Sequence, residues 1–190
     1  MKSRTPVLVV ALAAAVAACG EDPFAVRAQL QVVTDTFVVY ALNGTAPDLP
    51  AGINTPFNAP ARVDSTFNFD LALDIDETGD VVVLPVGKVG SNFGVSRRVS
   101  FATPDVPFDS IRRAPNSGYV TDTIITVETG TPVVVQAVTP VCQGSTVASP
   151  IIYSKFVVDS IDPATRALYV RSTVDPNCGF LSFLPGIPSN

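Results

Sequence analysis

Strict alternation of apolar and other side chains between residues 67 and 75 limits the possible folds more than any other feature of this chain. Successive side chains of a β-strand point to opposite faces, so a period of two indicates a strand with one face in a core and one in water. The core face would hold Phe67, Phe69, Leu71, Leu73 and Ile75, and the water face Asn68, Asp70, Ala72 and Asp74. Residues 76–79 then predict a turn ending in Gly79, and residues 80–86 predict the returning strand of a hairpin.

Short β-branched runs recur along the rest of the chain and predict further strands. These strands fall near residues 26–33, 36–42, 95–101, 120–128, 132–139, 151–158 and 167–174. About nine strands with frequent turns and no alternation with helices predict an all-β fold, a single antiparallel β-sandwich of the immunoglobulin-like or Greek-key type. A Greek-key barrel is the alternative.

Four prolines interrupt residues 46–60. Proline lacks a backbone N–H and is poorly suited to a central strand, so this stretch is predicted to be a long loop or a strap over a sheet edge. Long loops in compact domains often carry function.

The N-terminus has the form of an export signal. Lys2 and Arg4 precede an uninterrupted apolar run of twelve residues, 7–18. Such a run reaches about 18 Å as a helix, less than the roughly 30 Å of a bilayer core, which favours a signal peptide over a membrane span. The run ends in Val16-Ala17-Ala18-Cys19, which resembles the lipobox of bacterial lipoproteins.

The lipobox resemblance implies cleavage before Cys19 and attachment there of a diacylglyceryl group and usually a third acyl chain such as palmitate. Residues 1–18 would then be the signal peptide, 19–25 a lipidated tether and 26–190 the β-sandwich domain. Gly20 is not the Asp that favours inner-membrane retention, so outer-membrane delivery from the periplasm is expected in a diderm host. The alternative is an ordinary secretory signal cleaved after Ala15-Val16-Ala17, with Cys19 as a spare thiol.

With Cys19 lipidated, Cys142 and Cys178 remain as an even pair in an exported chain, which predicts a disulfide. A loop of 36 residues closed in this way stabilises the fold by about 4 kcal/mol in the chain-entropy model.

Composition excludes several functions. The chain has no histidine, so Ser-His-Asp and Cys-His nucleophiles and histidine-ligated zinc are ruled out. Its 12 basic residues face 17 acidic residues, a net charge of −5, and two of the basic residues belong to the signal. This balance argues against nucleic acid or anionic lipid as a partner.

An acidic cluster on the hairpin is the main candidate for ligand chemistry: Asp70, Asp74, Asp76, Glu77 and Asp80. Carboxylate oxygens near a glycine turn suit Ca²⁺, and residues 74–79 resemble the start of an EF-hand loop. Pro85 stands where that loop needs its last Glu, so a solvated hairpin tip is the expected structure. A carboxylate-based hydrolase using Asp70, Asp74 or Asp76 is a further alternative.

The basic residues of the mature chain offer little catalytic chemistry. Lys155 follows Ser154 on a predicted strand, so their side chains should face apart and form no Ser-Lys dyad. Arg97 is expected to pair with an acid at the surface.

The sequence therefore predicts an exported lipoprotein that is not an enzyme and needs no cofactor. Its partners would be the membrane, through the N-terminal lipid, and another envelope protein, contacted through a sheet face or the proline-spaced residues 46–60. A calcium- or glycan-binding module centred on the acidic hairpin 70–80 is the first alternative, and the hydrolase is the second.

Overall fold

A computed structural model describes residues 26–66, 68–89, 97–142 and 149–188. These ranges contain eleven β-strands, one helical turn at Val86–Val89 and two 3-10 turns at Phe108–Ser110 and Pro140–Cys142. The strands are β1 Val33–Tyr40, β2 Pro50–Asn54, β3 Ala59–Arg62, β4 Leu71–Ile75, β5 Val81–Pro85, β6 Val99–Ala102, β7 Val120–Thr121, β8 Ile125–Val127, β9 Val133–Val138, β10 Ile151–Asp162 and β11 Ala167–Asp175. Within these ranges no helix is both long enough and apolar enough to cross a membrane.

The strands form two antiparallel sheets. The six-stranded sheet has the order β1-β11-β10-β9-β6-β7, and the five-stranded sheet has the order β3-β2-β4-β5-β8. Two separate sheets stacked over a common core make a β-sandwich, so the predicted fold class is confirmed. The described strands do not close into the alternative Greek-key barrel. The signal peptide and the lipobox with Cys19 lie outside the described residues.

The core fills the space between the sheets with alternate side chains from each strand. The five-stranded sheet supplies Phe69, Leu71, Leu73, Val81 and Val83, and the six-stranded sheet supplies Phe101, Val133, Val135, Phe156, Leu168 and Val170. The predicted core face of β4 is therefore confirmed for the residues the structure describes, which exclude Phe67.

The prediction for the opposite face of β4 holds for Asn68, which is exposed, but is wrong for the next three residues of that face. Asp70 and Ala72 are wholly buried and Asp74 is nearly so, although all three were expected in water. Arg97 lies against Asp70, and Arg166 lies against Asp74. Both arginines come from distant parts of the chain, so the local alternation of side chains could not predict that they lie against the two aspartates.

The predicted strand at residues 26–33 does not form as such, because β1 begins only at Val33. The backbone N–H groups of Gln29 and Leu30 donate to the Asn177 side chain instead of a neighbouring strand. Farther along, Val32 forms a single antiparallel bridge with Gly186. The first described segment is thus bound to the C-terminal segment.

Residues 46–60 are also corrected, since they contain β2 and the first half of β3 rather than a loop. Two of the prolines occupy strand positions where a missing backbone N–H is tolerated. Pro50 is the first residue of β2, and Pro60 lies on β3, which is an edge strand. The proline-spaced stretch therefore builds the β2–β3 hairpin, and β2 is an internal strand.

A third layer covers the outer face of the six-stranded sheet. It consists of residues 103–119 and 176–188, which pair with each other through the N–H of Ala114 to the carbonyl of Leu181 (2.8 Å) and the N–H of Phe183 to the carbonyl of Arg112 (2.9 Å). Their side chains pack on the sheet in a second apolar cluster of Ala102, Ile111, Ala114, Val134 and Phe183. Both faces of this sheet are therefore buried along much of their length.

Cys142 and Cys178 form the predicted disulfide, with an S–S distance of 2.00 Å. The bond joins the 3-10 turn after β9 to the segment after β11, so its loop encloses the β10–β11 hairpin. Ile152 and Val174 pack around the sulfur atoms. The disulfide thus fixes the start of the C-terminal covering segment to the sandwich.

Candidate functional site

The acidic hairpin has the predicted chain path. Leu71–Ile75 and Val81–Pro85 pair in antiparallel register, and the turn closes with the Asp76 N–H donating to the Asp80 carbonyl at 3.0 Å. Gly79 has a φ of +92°, in the left-handed region that favours glycine. The five candidate carboxylates nevertheless have three different environments.

Asp70 is wholly buried immediately before β4. One carboxylate oxygen accepts the Thr55 N–H at 2.8 Å, and the other lies 3.2 Å from the Arg97 guanidinium. The backbone of Asp70 also bonds to Ile53 and to Val86. Burial raises the pKa of this carboxyl group, while the Thr55 N–H and the Arg97 charge act in the opposite direction. Asp70 therefore links β2, the end of β5 and the start of β6.

Asp74 is also engaged in structural contacts. The Arg166 guanidinium, from the turn between β10 and β11, lies 3.3 Å from its carboxylate. The Asn43 side-chain amide donates to the second oxygen of Asp74. Arg166 also donates to the main-chain carbonyls of Asn43 and Ile75. These contacts hold the loop after β1 and the β10–β11 turn against the end of β4.

Asp76, Glu77 and Asp80 lie at the hairpin tip. The Asp76 carboxylate accepts hydrogen bonds from the Thr78 hydroxyl at 2.7 Å, the Thr78 N–H at 2.9 Å and the Asp80 N–H at 3.0 Å. The Thr78 hydroxyl is the largest cause of the lowered pKa of Asp76. This pattern is typical of an Asx-turn, in which the side chain of an aspartate accepts hydrogen bonds from the backbone that follows it.

The five carboxylates are therefore not brought to one point. Among the residues that the structure describes, no group of three or more His, Cys, Asp or Glu side chains is placed to hold a metal ion. For the hydrolase alternative, Asp70 and Asp74 each face an arginine, and Asp76 is bonded within its own turn. The geometry gives these groups structural roles.

A groove of about 420 Å³ lies beside the edge strand β3 and is built largely by the proline-spaced hairpin. Phe57, in the β2–β3 turn, has 70% of its surface exposed, the largest value among the large apolar side chains that the structure describes. Pro60 and Arg62 are exposed along β3, and the described residues place no strand on the outer side of β3. Asn54, Asp64 and Asn68 add polar groups to the lining of the groove. An exposed aromatic ring beside an arginine is typical of protein-contact surfaces.

A second cleft, of about 430 Å³, surrounds Lys155 on the outer face of the six-stranded sheet. Lys155 is buried, and its ammonium donates to the carbonyls of Phe108 at 2.7 Å and Ile111 at 2.9 Å. The ammonium also lies 4.1 Å from the centre of the Phe108 ring and 5.6 Å from that of Phe183. Burial lowers the pKa of Lys155, and the positive charge of Arg171 acts in the same direction.

Arg171 closes one side of this cleft. Its guanidinium lies 4.7 Å from the centre of the Phe108 ring and pairs with Asp109 at 3.1 Å and Asp159 at 3.0 Å. Lys155 and Arg171 thus hold the 3-10 turn at Phe108–Ser110 against the sheet. The two cations are engaged by protein groups, so the cleft is a structural contact of the covering layer.

Ser154 and Lys155 face apart, as predicted, because Tyr153, Lys155 and Val157 share the outer face while their neighbours face the core. The structural role of Lys155 was missed. The available signal was a single lysine inside the run from Ile151 to Val158, since a charge within an apolar strand requires a partner.

Comparison with known proteins finds no matching family model, no matching curated protein and no matching solved structure. The functional interpretation therefore comes from the geometry of this chain.

The Arg97→Ala substitution should lower the free energy of unfolding by about 3 kcal/mol at neutral pH, because it leaves the buried Asp70 carboxylate without its cation. The loss should shrink as the pH falls through the raised pKa of Asp70, at values above the 3.8 of an ordinary aspartate, because the protonated carboxyl group no longer needs the Arg97 cation. A buried acid with a raised pKa destabilises the fold as the pH rises, since the unfolded chain ionises first. Urea unfolding at several pH values measures both effects. The exposed neighbour provides the control Arg98→Ala, and equal losses for the two variants would contradict this role.

The Lys155→Met substitution keeps the apolar stem but removes the donor to the Phe108 and Ile111 carbonyls, which should destabilise the protein by about 2 kcal/mol. Amide hydrogen exchange should accelerate at residues 108–114 and stay unchanged in β4 and β5. The matched control is Lys88→Met at the exposed Lys88, expected to change stability by less than about 0.5 kcal/mol. Unaltered exchange at residues 108–114 would show that Lys155 does not hold this segment.

Proposed function

We propose that this chain is an exported lipoprotein, anchored through Cys19, whose β-sandwich is a non-enzymatic module that docks on another envelope protein. The groove along β3, with the exposed Phe57 at its end, is the observation that carries the docking part of the proposal. Of the carboxylates that a hydrolase or a calcium module would use, Asp70, Asp74 and Asp76 are engaged in structural contacts.

The disulfide supports the exported setting. Disulfides persist in oxidising compartments such as the periplasm. Because Cys142 bonds to Cys178, Cys19 is the one cysteine of the three outside this pair. A cysteine that directly follows a twelve-residue apolar run and stands outside the disulfide fits the lipid-attachment role. Two or three acyl chains give stable anchoring, whereas one chain binds a membrane only marginally.

The β3 groove supports docking on a protein. An edge strand offers backbone groups for pairing, while Pro60 and Arg62 restrain indiscriminate strand addition. Arg62 and Asp64 bring both charge signs to a groove that also contains the Phe57 ring. Aromatic and arginine side chains are enriched among the residues that dominate binding energy in protein interfaces. A protein partner with an apolar anchor and complementary charges suits this surface.

The Cys19→Ser substitution should move the full chain from the membrane fraction to the soluble periplasmic fraction and abolish incorporation of labelled palmitate. The control is the double variant Cys142→Ser with Cys178→Ser, which loses the other two cysteines yet should retain the label. Label on the Cys19→Ser chain, or its absence from the unaltered chain, would refute lipid anchoring and favour the ordinary secretory signal.

A photo-reactive phenylalanine analogue at position 57 should capture one reproducible envelope protein in intact cells, because Phe57 would lie in the docking interface. The same analogue at Tyr169, an exposed aromatic on β11, is the positional control. Adding Arg62→Glu should abolish capture from position 57, since it reverses a charge in the groove. Equal capture at both positions, or capture that ignores Arg62→Glu, would count against the docking surface.

A further inference from the structure

The N-terminal segment is held firmly where it reaches the sandwich. The Asn177 side chain accepts the N–H groups of Gln29 and Leu30 at 2.8 and 2.9 Å and donates to the Leu30 carbonyl at 2.8 Å. The Val32 N–H donates to the Gly186 carbonyl at 2.9 Å. Cys178, next to Asn177, carries the disulfide. The position and direction of this segment on the domain are thus fixed.

Exposed apolar side chains flank the Val32–Gly186 bridge on both segments. We call them the N-terminal patch: Leu30, Val33, Leu184 and Ile187. Each lies within two residues of the bridge, or about 7 Å along an extended chain. Exposed apolar residues are common singly, but four around one bridge make a local apolar edge.

The patch has apolar groups on both faces of the sheet edge. Val33 is opposite Val174 in the register of β1 with β11 and shares its core-side face. Leu184 lies beside Thr34 and Lys155 in the cleft on the outer face. A surface that receives the edge of the sheet would cover both side chains, and a lipid surface can do so.

The position of Cys19 favours a lipid surface as the occupant. Cys19 precedes Leu30, the first residue of the patch, by eleven residues, and eleven residues span at most about 40 Å when fully extended. A lipid attached at Cys19 therefore confines the N-terminal patch to the vicinity of the bilayer. The high local concentration of lipid makes a small apolar contact effective, although it would bind weakly on its own.

We propose that the N-terminal patch inserts into the headgroup boundary of the membrane and orients the sandwich with the β1 edge towards the lipid. This inference rests on the proposed lipid anchoring through Cys19. The acidic charge of the domain disfavours anionic lipid, so the apolar side chains supply the contact with a zwitterionic surface.

The chain contains no tryptophan, so one introduced tryptophan reports its own surroundings. Val33→Trp places it in the patch, and Val120→Trp is the matched control, because the two valines are 44% and 45% exposed. Val120 lies on β7, the opposite edge of the same sheet, about 24 Å away at five strand spacings. Leu184→Trp is a second patch reporter should Val33→Trp disturb β1.

The full lipidated chain would be reconstituted into phosphatidylcholine vesicles with doxyl-labelled acyl chains. Patch tryptophans should be quenched roughly threefold more than Val120→Trp, because an interfacial side chain sits about 5–10 Å into the boundary. Equal quenching at both edges would overturn the proposal. A Val33→Trp side chain that is shielded from water in native membranes but is not quenched in pure lipid vesicles would also overturn it, and would indicate a protein occupant.

Flotation of the same samples distinguishes a failure of lipid anchoring through Cys19 from a failure of the proposed orientation. If the unaltered chain fails to float with vesicles, or the Cys19→Ser chain floats equally well, the anchoring proposal fails and the patch proposal fails with it. If flotation depends on Cys19 and quenching is equal at both edges, only the orientation is wrong.

Discussion

A buried carboxylate needs hydrogen-bond and charge partners in place of water, and Asp70, immediately before β4, is such a carboxylate. Its backbone bonds to Ile53 and Val86, and its side chain bonds to Thr55 and Arg97. These groups belong to the strands of one sheet and to the chain entering the other sheet. The Asp70–Arg97 ion pair therefore connects the two sheets, together with the Asp74–Arg166 pair and the apolar core between them. Such a pair is unfavourable to bury and destabilising to break.

The same principle operates on the outer face of the six-stranded sheet. Lys155 lies between Thr173 and Val134 of the neighbouring strands, and its buried ammonium donates to two carbonyls in the covering segment. The Asn177 side chain likewise accepts hydrogen bonds from two backbone N–H groups of the N-terminal segment. Polar side chains thus determine where the irregular segments lie, while apolar contacts supply the area that is removed from water.

This arrangement changes the interpretation of the acidic residues. Asp70 and Asp74 compensate arginines, and Asp76 shapes its own turn, so the hairpin behaves as part of the scaffold. Among the residues that the structure describes, the surfaces that we propose for interaction are at sheet edges, namely the β3 groove and the N-terminal patch. Edges are where a sandwich has unpaired backbone and uncovered apolar groups, which makes them natural contact sites for protein and lipid.

The sequence by itself determined the β-class, the β4–β5 hairpin with its turn at Gly79, and the pairing of Cys142 with Cys178, because periodicity, turn chemistry and cysteine count are local or compositional properties. It did not determine the environment of Asp70 or Asp74, whose arginine partners lie 27 and 92 residues away along the chain. Nor did it reveal that the prolines at positions 50 and 60 occupy a strand start and an edge strand. A period of two assigns side chains to two faces, but only the packing of distant segments decides whether a face meets water, an arginine or a covering layer.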